Sequence, residues 1–344
     1  MPLPSIKDVA IAAGVSKATV SRVLNGNYTY IREETRLRVL KAISDLGYRP
    51  SIVARSLTYQ RTNTVGLLIS DVGNPYYPDV IHGVEDVAFQ NNYQVFLGNT
   101  NYDMQRGMGL IQSFIDRRVD GVLIMSSSMS NNWLQKLIQN DIPAVVVDWD
   151  INGLSGKLGC IYVDFKPGLQ SAAEYLVKIG HRRFAHISGP LFLQTSKIRQ
   201  FYFIEALNNL GINPQDIICI QGNLNIDGGY IAMENIININ NPPTAIFAAN
   251  DLSALGAIKA ARQYGLNVPN HISIIGLDDI WLANQNDPPL TTIALPKYEI
   301  GLKAMNILLE LINIPSSESS ILKVDHVESK LIIRKTTSSP PIFP

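Results

Sequence analysis

Cysteine is almost missing from this chain: Cys160 and Cys219 are the only thiols in 344 residues. That excludes a disulfide framework and any zinc site built from several cysteines. Both lie in β-branched runs and are read as core residues. No apolar run approaches the ~20 residues that a membrane-spanning helix needs. The first residues contain no apolar stretch of signal-peptide type, so the cytoplasm is the expected compartment and no membrane partner is expected. Charged residues are sparse at 17%, but 46% are hydrophobic, which marks a globular chain with a substantial core. Its length suits two or three domains. Also missing are the G-x-S-x-G elbow, the G-x-x-x-x-G-K-[ST] phosphate loop, H-E-x-x-H and C-x-x-C. The five histidines are scattered, and His181 and His186 are spaced wrongly for one helical face. Neither an enzyme nor a cofactor nor a metal is expected.

The formal net charge of zero hides an asymmetry. Residues 1–61 carry 10 Lys and Arg against 4 Asp and Glu, a net +6, so the remainder totals −6. A basic head on an acidic body suits a chain in which one small domain meets a polyanion.

The head reads as three short helices. Ile6, Val9, Ala10 and Ala13 form one apolar stripe, after which Gly14 supplies a tight turn and Ser16 a cap. From Lys17 to Asn25 the helical wheel separates Thr19, Val20, Val23 and Leu24 from an outer arc of Lys17, Ala18, Ser21, Arg22 and Asn25. A third helix starts near Glu33 and Glu34, uses Val39, Ala42, Ile43 and Leu46 as its stripe, and stops at Gly47. This is the helix-turn-helix pattern.

From Thr64 onward nine short β-branched runs alternate with amphipathic stretches. The runs are 65–70, 93–99, 121–125, 144–147, 160–163, 184–188, 217–221, 245–248 and 273–277. Alternation of this kind predicts parallel sheets with helices on both faces, and nine strands are better divided into two doubly wound lobes than placed in one sheet. The expected fold is α/β: an N-terminal all-α head and a two-lobed core of doubly wound parallel sheets. The expected boundaries are 1–49 for the helix-turn-helix, 50–61 for a hinge, 62–335 for the core and 336–344 for a flexible tail. Within the core the first lobe is placed at 62–163 and 291–318, the second at 164–290 and 319–335.

In open parallel sheets ligands bind beyond the carboxyl ends of the strands. Those positions hold Asn74, Tyr76 and Tyr77, then Asp148 and Trp149, Asp164, Asn250 and Asp251, and Asp278 and Asp279. Aromatic faces with short carboxylates and amides suit a small polyhydroxylated or heterocyclic ligand. Asp164 and Asp251 are equally suited to capping the helices that follow them.

The segments Ile6–Ala10, Gly14–Ser16, Thr19–Asn25, Pro50–Leu57 and Asn250–Gly256 resemble those of the LacI/GalR family of bacterial transcriptional regulators. Val147–Trp149, Gly180–Arg182, Ile187–Leu191, Gly276–Asp278 and Leu290–Ile293 are similar to its purine and ribose repressor branch. The resemblance implies a repressor acting as a homodimer on a pseudo-palindromic operator, with a periplasmic-binding-protein-like core that senses a small molecule. It implies that Lys17, Ala18 and Arg22 face base edges, while Ser16, Thr19, Ser21 and Asn25 hold phosphates or turn geometry. It further implies that the hinge orders on DNA, with Leu57 as a minor-groove wedge, Ala54 allowing close approach and Arg55 on the backbone. In the cleft it implies Arg199 and Asp278 as effector contacts. Leu193, Leu224 and Leu295 depart from the purine repressors' Arg, stacking Phe and Gln. A sugar or sugar derivative is therefore expected over a free purine, with a purine- or nucleoside-responsive repressor as the alternative reading. A sugar-binding protein without DNA regulation is the more distant one.

Overall fold

The computed structural model describes residues 4–49, 61–126, 129–315, 318 and 320–341. The chain divides into two compact units, 1–62 and 63–344. The hinge residues Ala54, Arg55 and Leu57 lie outside the described residues.

In the first unit, α1 (Ile6–Ala13) opens on a capping box in which Ser5 and Asp8 satisfy each other's backbone N–H groups. It ends at Gly14, whose φ of 63° is cheap only for glycine. Helix α2 (Lys17–Leu24) is capped by Ser16, whose Oγ accepts from the Thr19 N–H at 3.1 Å. Helix α3 (Glu33–Leu46) begins with two acids in its first turn, where they favour the helix dipole. Val9, Ala10, Ala13, Val20, Val23, Val39 and Ala42 form the core. Ile43 packs at its edge, whereas Leu46 is exposed rather than part of the stripe.

The second unit holds two six-stranded sheets. In chain order the elements are β1 (Thr64–Ile69), α4 (Tyr77–Gln90), β2 (Gln94–Asn99), α5 (Met104–Asp116), β3 (Gly121–Met125), α6 (Asn131–Gln139), β4 (Ala144–Val147) and β5 (Lys157–Asp164). There follow α7 (Lys166–Lys178), β6 (Phe184–Ser188), α8 (Gln194–Asn209), β7 (Ile217–Gln221), α9 (Ile226–Ile237), β8 (Ala245–Ala248), α10 (Asp251–Gln263) and β9 (Ser273–Asp278). The chain closes with α11 (Trp281–Gln285), β10 (Thr291–Ala294), α12 (Lys297–Ile312), β11 (Ile321–Glu328) and β12 (Lys330–Ile332).

The first sheet runs β11-β5-β4-β3-β1-β2 and is parallel throughout. The second runs β12-β10-β9-β8-β6-β7, with only the β10–β12 pair antiparallel. Central strands such as β3, β6 and β8 are buried along their whole length, as parallel strands covered on both faces must be. Helices α4 and α12 cross at Gly83 and Gly301. A Cβ on the first would collide with the Tyr298 carbonyl, and one on the second with that of Val80.

Three readings of the sequence change. Residues 291–294 pair with β9 in the second sheet, and 321–328 pair with β5 in the first, the reverse of the expected assignment. The crossovers therefore fall at 164–166, 295–297 and 328–330, after each strand is complete. The tail is not free up to residue 341, because Thr336 is buried and its Oγ1 donates to the Ile274 carbonyl while accepting from the Thr291 N–H. Ser338 accepts from and donates to the same lobe through Ser273, Pro269 and His181. Residues 342–344 lie outside the described residues. Finally, Cys160 is buried but Cys219, on the edge strand β7, is exposed.

Candidate functional site

The outer arc of α2 presents Lys17, Ala18, Arg22 and Asn25 to solvent, with Ser21 half-buried; Thr19, on the inner arc, is half-buried too. Val20 and Val23 anchor the opposite face in the core. Ser16 holds the helix start through both the Thr19 N–H and its hydroxyl, so it is committed to geometry. A short helix with one anchored face and a basic outer face has the form that enters a major groove.

In the second unit the carboxyl ends of both sheets border a cleft with an internal volume of about 90 Å³. Of the residues singled out in the sequence, Asn74, Tyr76, Tyr77, Asp148, Trp149, Arg199, Asn250 and Asp278 line it. Asp164 does not: it is exposed, and its carboxylate caps α7 by accepting from the Lys166 N–H at 2.9 Å. The cleft also brings in Tyr102, Met125, Val147, Gln194, Thr195, Leu224 and Leu295. Leu193 is buried at the start of α8 and is not among the lining residues.

Several of these side chains also hold the backbone. Asn74 accepts from the Tyr76 N–H in an Asx turn that starts α4. Asn250 caps α10 through the Ser253 N–H and donates its Nδ2 to the Leu224 carbonyl, which uses both ends of its amide. Asp251, which follows it, is fully buried, with oxygens taken by Thr292 Oγ1 and the Ile280 N–H. The Tyr77 hydroxyl donates to the Met125 carbonyl, and its ring meets that of Tyr76 edge-on with centroids 5.2 Å apart. Trp149 is fixed by its Nε1–H donating to Asn131 at 2.8 Å.

Two carboxyls face the cleft with most of their solvent removed. Asp148 sits at φ 54°, and its Oδ1 accepts from the Val163 N–H at 2.6 Å, standing in for a strand neighbour beyond the end of β4. Burial pushes its pKa up to about 7, against the pull of that N–H and of Arg199. Asp278, at the end of β9, is pushed by burial to about 6, with Arg199 and Lys297 holding it back. Arg199 lies over the Phe165 ring, donates to the Ala249 carbonyl at 2.8 Å and stands 3.8 Å from the Asp278 carboxylate. Its buried Nε has no protein acceptor. Arg is donor-only and carboxylates accept, so the cleft offers a mixed set around flat ring faces. Among the described residues no group of three or more His, Cys, Asp and Glu is placed to hold a metal. None of the helices described is long and apolar enough to cross a membrane.

Residues 5–51 match the model for bacterial regulatory proteins of the lacI family, and residues 173–337 that for a periplasmic binding protein-like domain. The chain is 38% identical over 339 residues to HTH-type transcriptional repressor PurR of Pasteurella multocida, covering 98% of this chain and 99% of that protein. It is 34% identical to catabolite control protein A of Priestia megaterium, over 94% of this chain and 96% of that one. Among solved structures it is similar to the lac repressor dimer bound to operator and the anti-inducer ONPF. There the TM-score is 0.85 and the identity 25%, over 98% of this chain and 100% of that chain. The transcriptional regulator CelR–cellobiose complex superposes with a TM-score of 0.72 at 28% identity, over 97% and 99% of the two chains. With near-complete coverage at this identity, a helix-turn-helix head and a two-lobed core, the chain belongs to the lacI family of bacterial regulatory proteins, DNA-binding transcriptional regulators controlled by small molecules.

Proposed function

We propose that the chain is a repressor that binds a pseudo-palindromic operator as a homodimer in the cytoplasm and that an uncharged sugar or sugar derivative in the cleft controls it. One observation carries the effector class: two carboxyls, half-buried Asp148 and buried Asp278, share the cleft with Arg199 and the rings of Tyr76, Tyr77 and Trp149. Burial disfavours further negative charge beside them, so an anionic ligand is selected against. A polyol donates to carboxylates, accepts from Arg199 and lays its ring carbons on aromatic faces. The CelR structure, with cellobiose, supports the sugar reading.

The identity to PurR repressors favours a second reading, a purine base. Against it, Leu193 is buried and apolar, and Leu224 and Leu295 line the cleft with aliphatic carbon, so none of the three donates to a base carbonyl. Calorimetry with D-ribose, D-glucose, hypoxanthine and guanine decides, paired with gel shifts on genomic fragments. Sugar binding that changes operator affinity is the expected outcome; tight purine binding with no response to any sugar overturns the assignment.

A further inference from the structure

Lys297 is a lysine with almost no access to water: its side chain is 8% exposed. A buried ammonium is costly unless its donors are matched. Here Nζ donates to the carbonyl oxygens of Asp278 at 2.9 Å and Asp279 at 2.7 Å, and lies 3.6 Å from the Asp79 carboxylate. The two carbonyls belong to consecutive non-glycine residues at positive φ, 112° and 50°. Such a backbone persists only when its surroundings over-determine it. Arg334 does part of that by pairing with the Asp279 side chain at 2.7 Å, from within the same lobe. Lys297 does the rest from the other lobe. It is the first residue of α12, where the second crossover ends, and α12 packs on α4, which carries Asp79. One ammonium thus joins first-lobe Asp79 to the second-lobe strand end that presents Asp278 to the cleft.

We propose that Lys297 is an inter-lobe latch, a positioning residue that fixes the direction of the Asp278 carboxyl and ties the angle between the lobes to what the cleft holds. The tie to cleft contents rests on the effector reading above; the latch itself does not. Asp79 is half-exposed, so its ion pair adds little to overall stability, and its role is directional. Rotation of one lobe against the other moves Asp79 relative to the Asp278–Asp279 carbonyls, and Lys297 spans only one such arrangement.

The test reads the lobe angle without any ligand. A spin label on native Cys219 in the second lobe and another on Gln90→Cys in the first give an inter-lobe distance distribution in the full chain, diluted with unlabelled chain. Asp79→Asn and Lys297→Met are both expected to shift and broaden that distribution, and combining them is expected to add nothing. Asp79→Asn is expected to do so with its thermal midpoint close to that of the parent, which a loss of general stability does not reproduce. Should Lys297→Met fail to fold, Asp79→Asn alone decides. A parental distribution in Asp79→Asn overturns the latch. A broadened distribution together with no heat from D-ribose, D-glucose, hypoxanthine or guanine upholds the latch and removes the effector reading instead.

Discussion

At the scale of single residues, the clearest consequence of burial is at Asp148. Its folded pKa, about 7, lies above the ordinary 3.8, so between those values the unfolded chain gives up a proton that the folded chain keeps. This contribution to stability is full below the ordinary value and is lost as pH rises through about 7. Asp148→Asn keeps the acceptor for the Val163 N–H and tolerates the positive φ, but removes the charge. The variant is expected to gain stability on the parent from pH 5 to pH 8 in urea titrations; a constant difference shows that Asp148 does not titrate there. Taking the difference cancels His186, whose burial lowers its pKa to about 4 and gives the opposite slope. In the head, Arg22→Ala is expected to cost ~1–3 kcal/mol of operator binding and to relax one base pair in each half-site. Equal weakening on every sequence makes Arg22 a phosphate contact. Asp148, Trp149 and Tyr77 are legible in the sequence because they follow strand ends. Tyr102 comes three residues after β2, and the same rule extended to that strand finds it. Gln194 and Thr195 are not legible, because α8 buries Ser196 and Phe203 yet exposes Phe201, so no one-sided stripe marks where it starts.

At the scale of elements, the glycine crossing of α4 and α12 predicts a contrast. Gly301→Ala drives a methyl into the Val80 carbonyl, which cannot retreat, and is expected to cost ~1–3 kcal/mol in urea titration. Gly109→Ala, in α5 with open space around it, is expected to stabilise by ~0.4–1 kcal/mol. Equal effects at the two positions contradict the close approach. Seven of the nine strands readable in the sequence are buried along most of their length, and the other two, the edge strands β2 and β7, are read from runs that carry no charged residue. Strand β11 escapes because, alternately half-buried and exposed at a sheet edge, it is broken up by Lys323, Asp325 and His326. Strand β10 escapes because it is four residues long behind Pro288 and Pro289, and β12 because it is only three residues long. Helix α6 lies in a polar stretch whose apolar members, Trp133, Leu134, Leu137 and Ile138, span under two turns.

At the scale of the whole molecule, the proposed function puts sensing and DNA reading in separate units, since the α2 arc lies before residue 62 and the cleft after it. Asp278→Asn is therefore expected to abolish the effector response in gel shifts while leaving operator affinity near that of the parent. Loss of both places Asp278 in the fold rather than in sensing. The three crossovers bear on how the chain is made. A ribosome must deliver 328 of the 344 residues before the first sheet has all six strands, because β11 ends at Glu328. Until α12 emerges, the faces of α4 and of β3, β4 and β5 that it covers stand bare, although their own residues were synthesised long before. The second lobe waits for β12 and for the stretch as far as Ser338 that docks on it. Nascent chains arrested at residue 294 thus carry a nearly finished second lobe beside an unfinished first one. That is the stage of synthesis at which a chaperone has the most to hold.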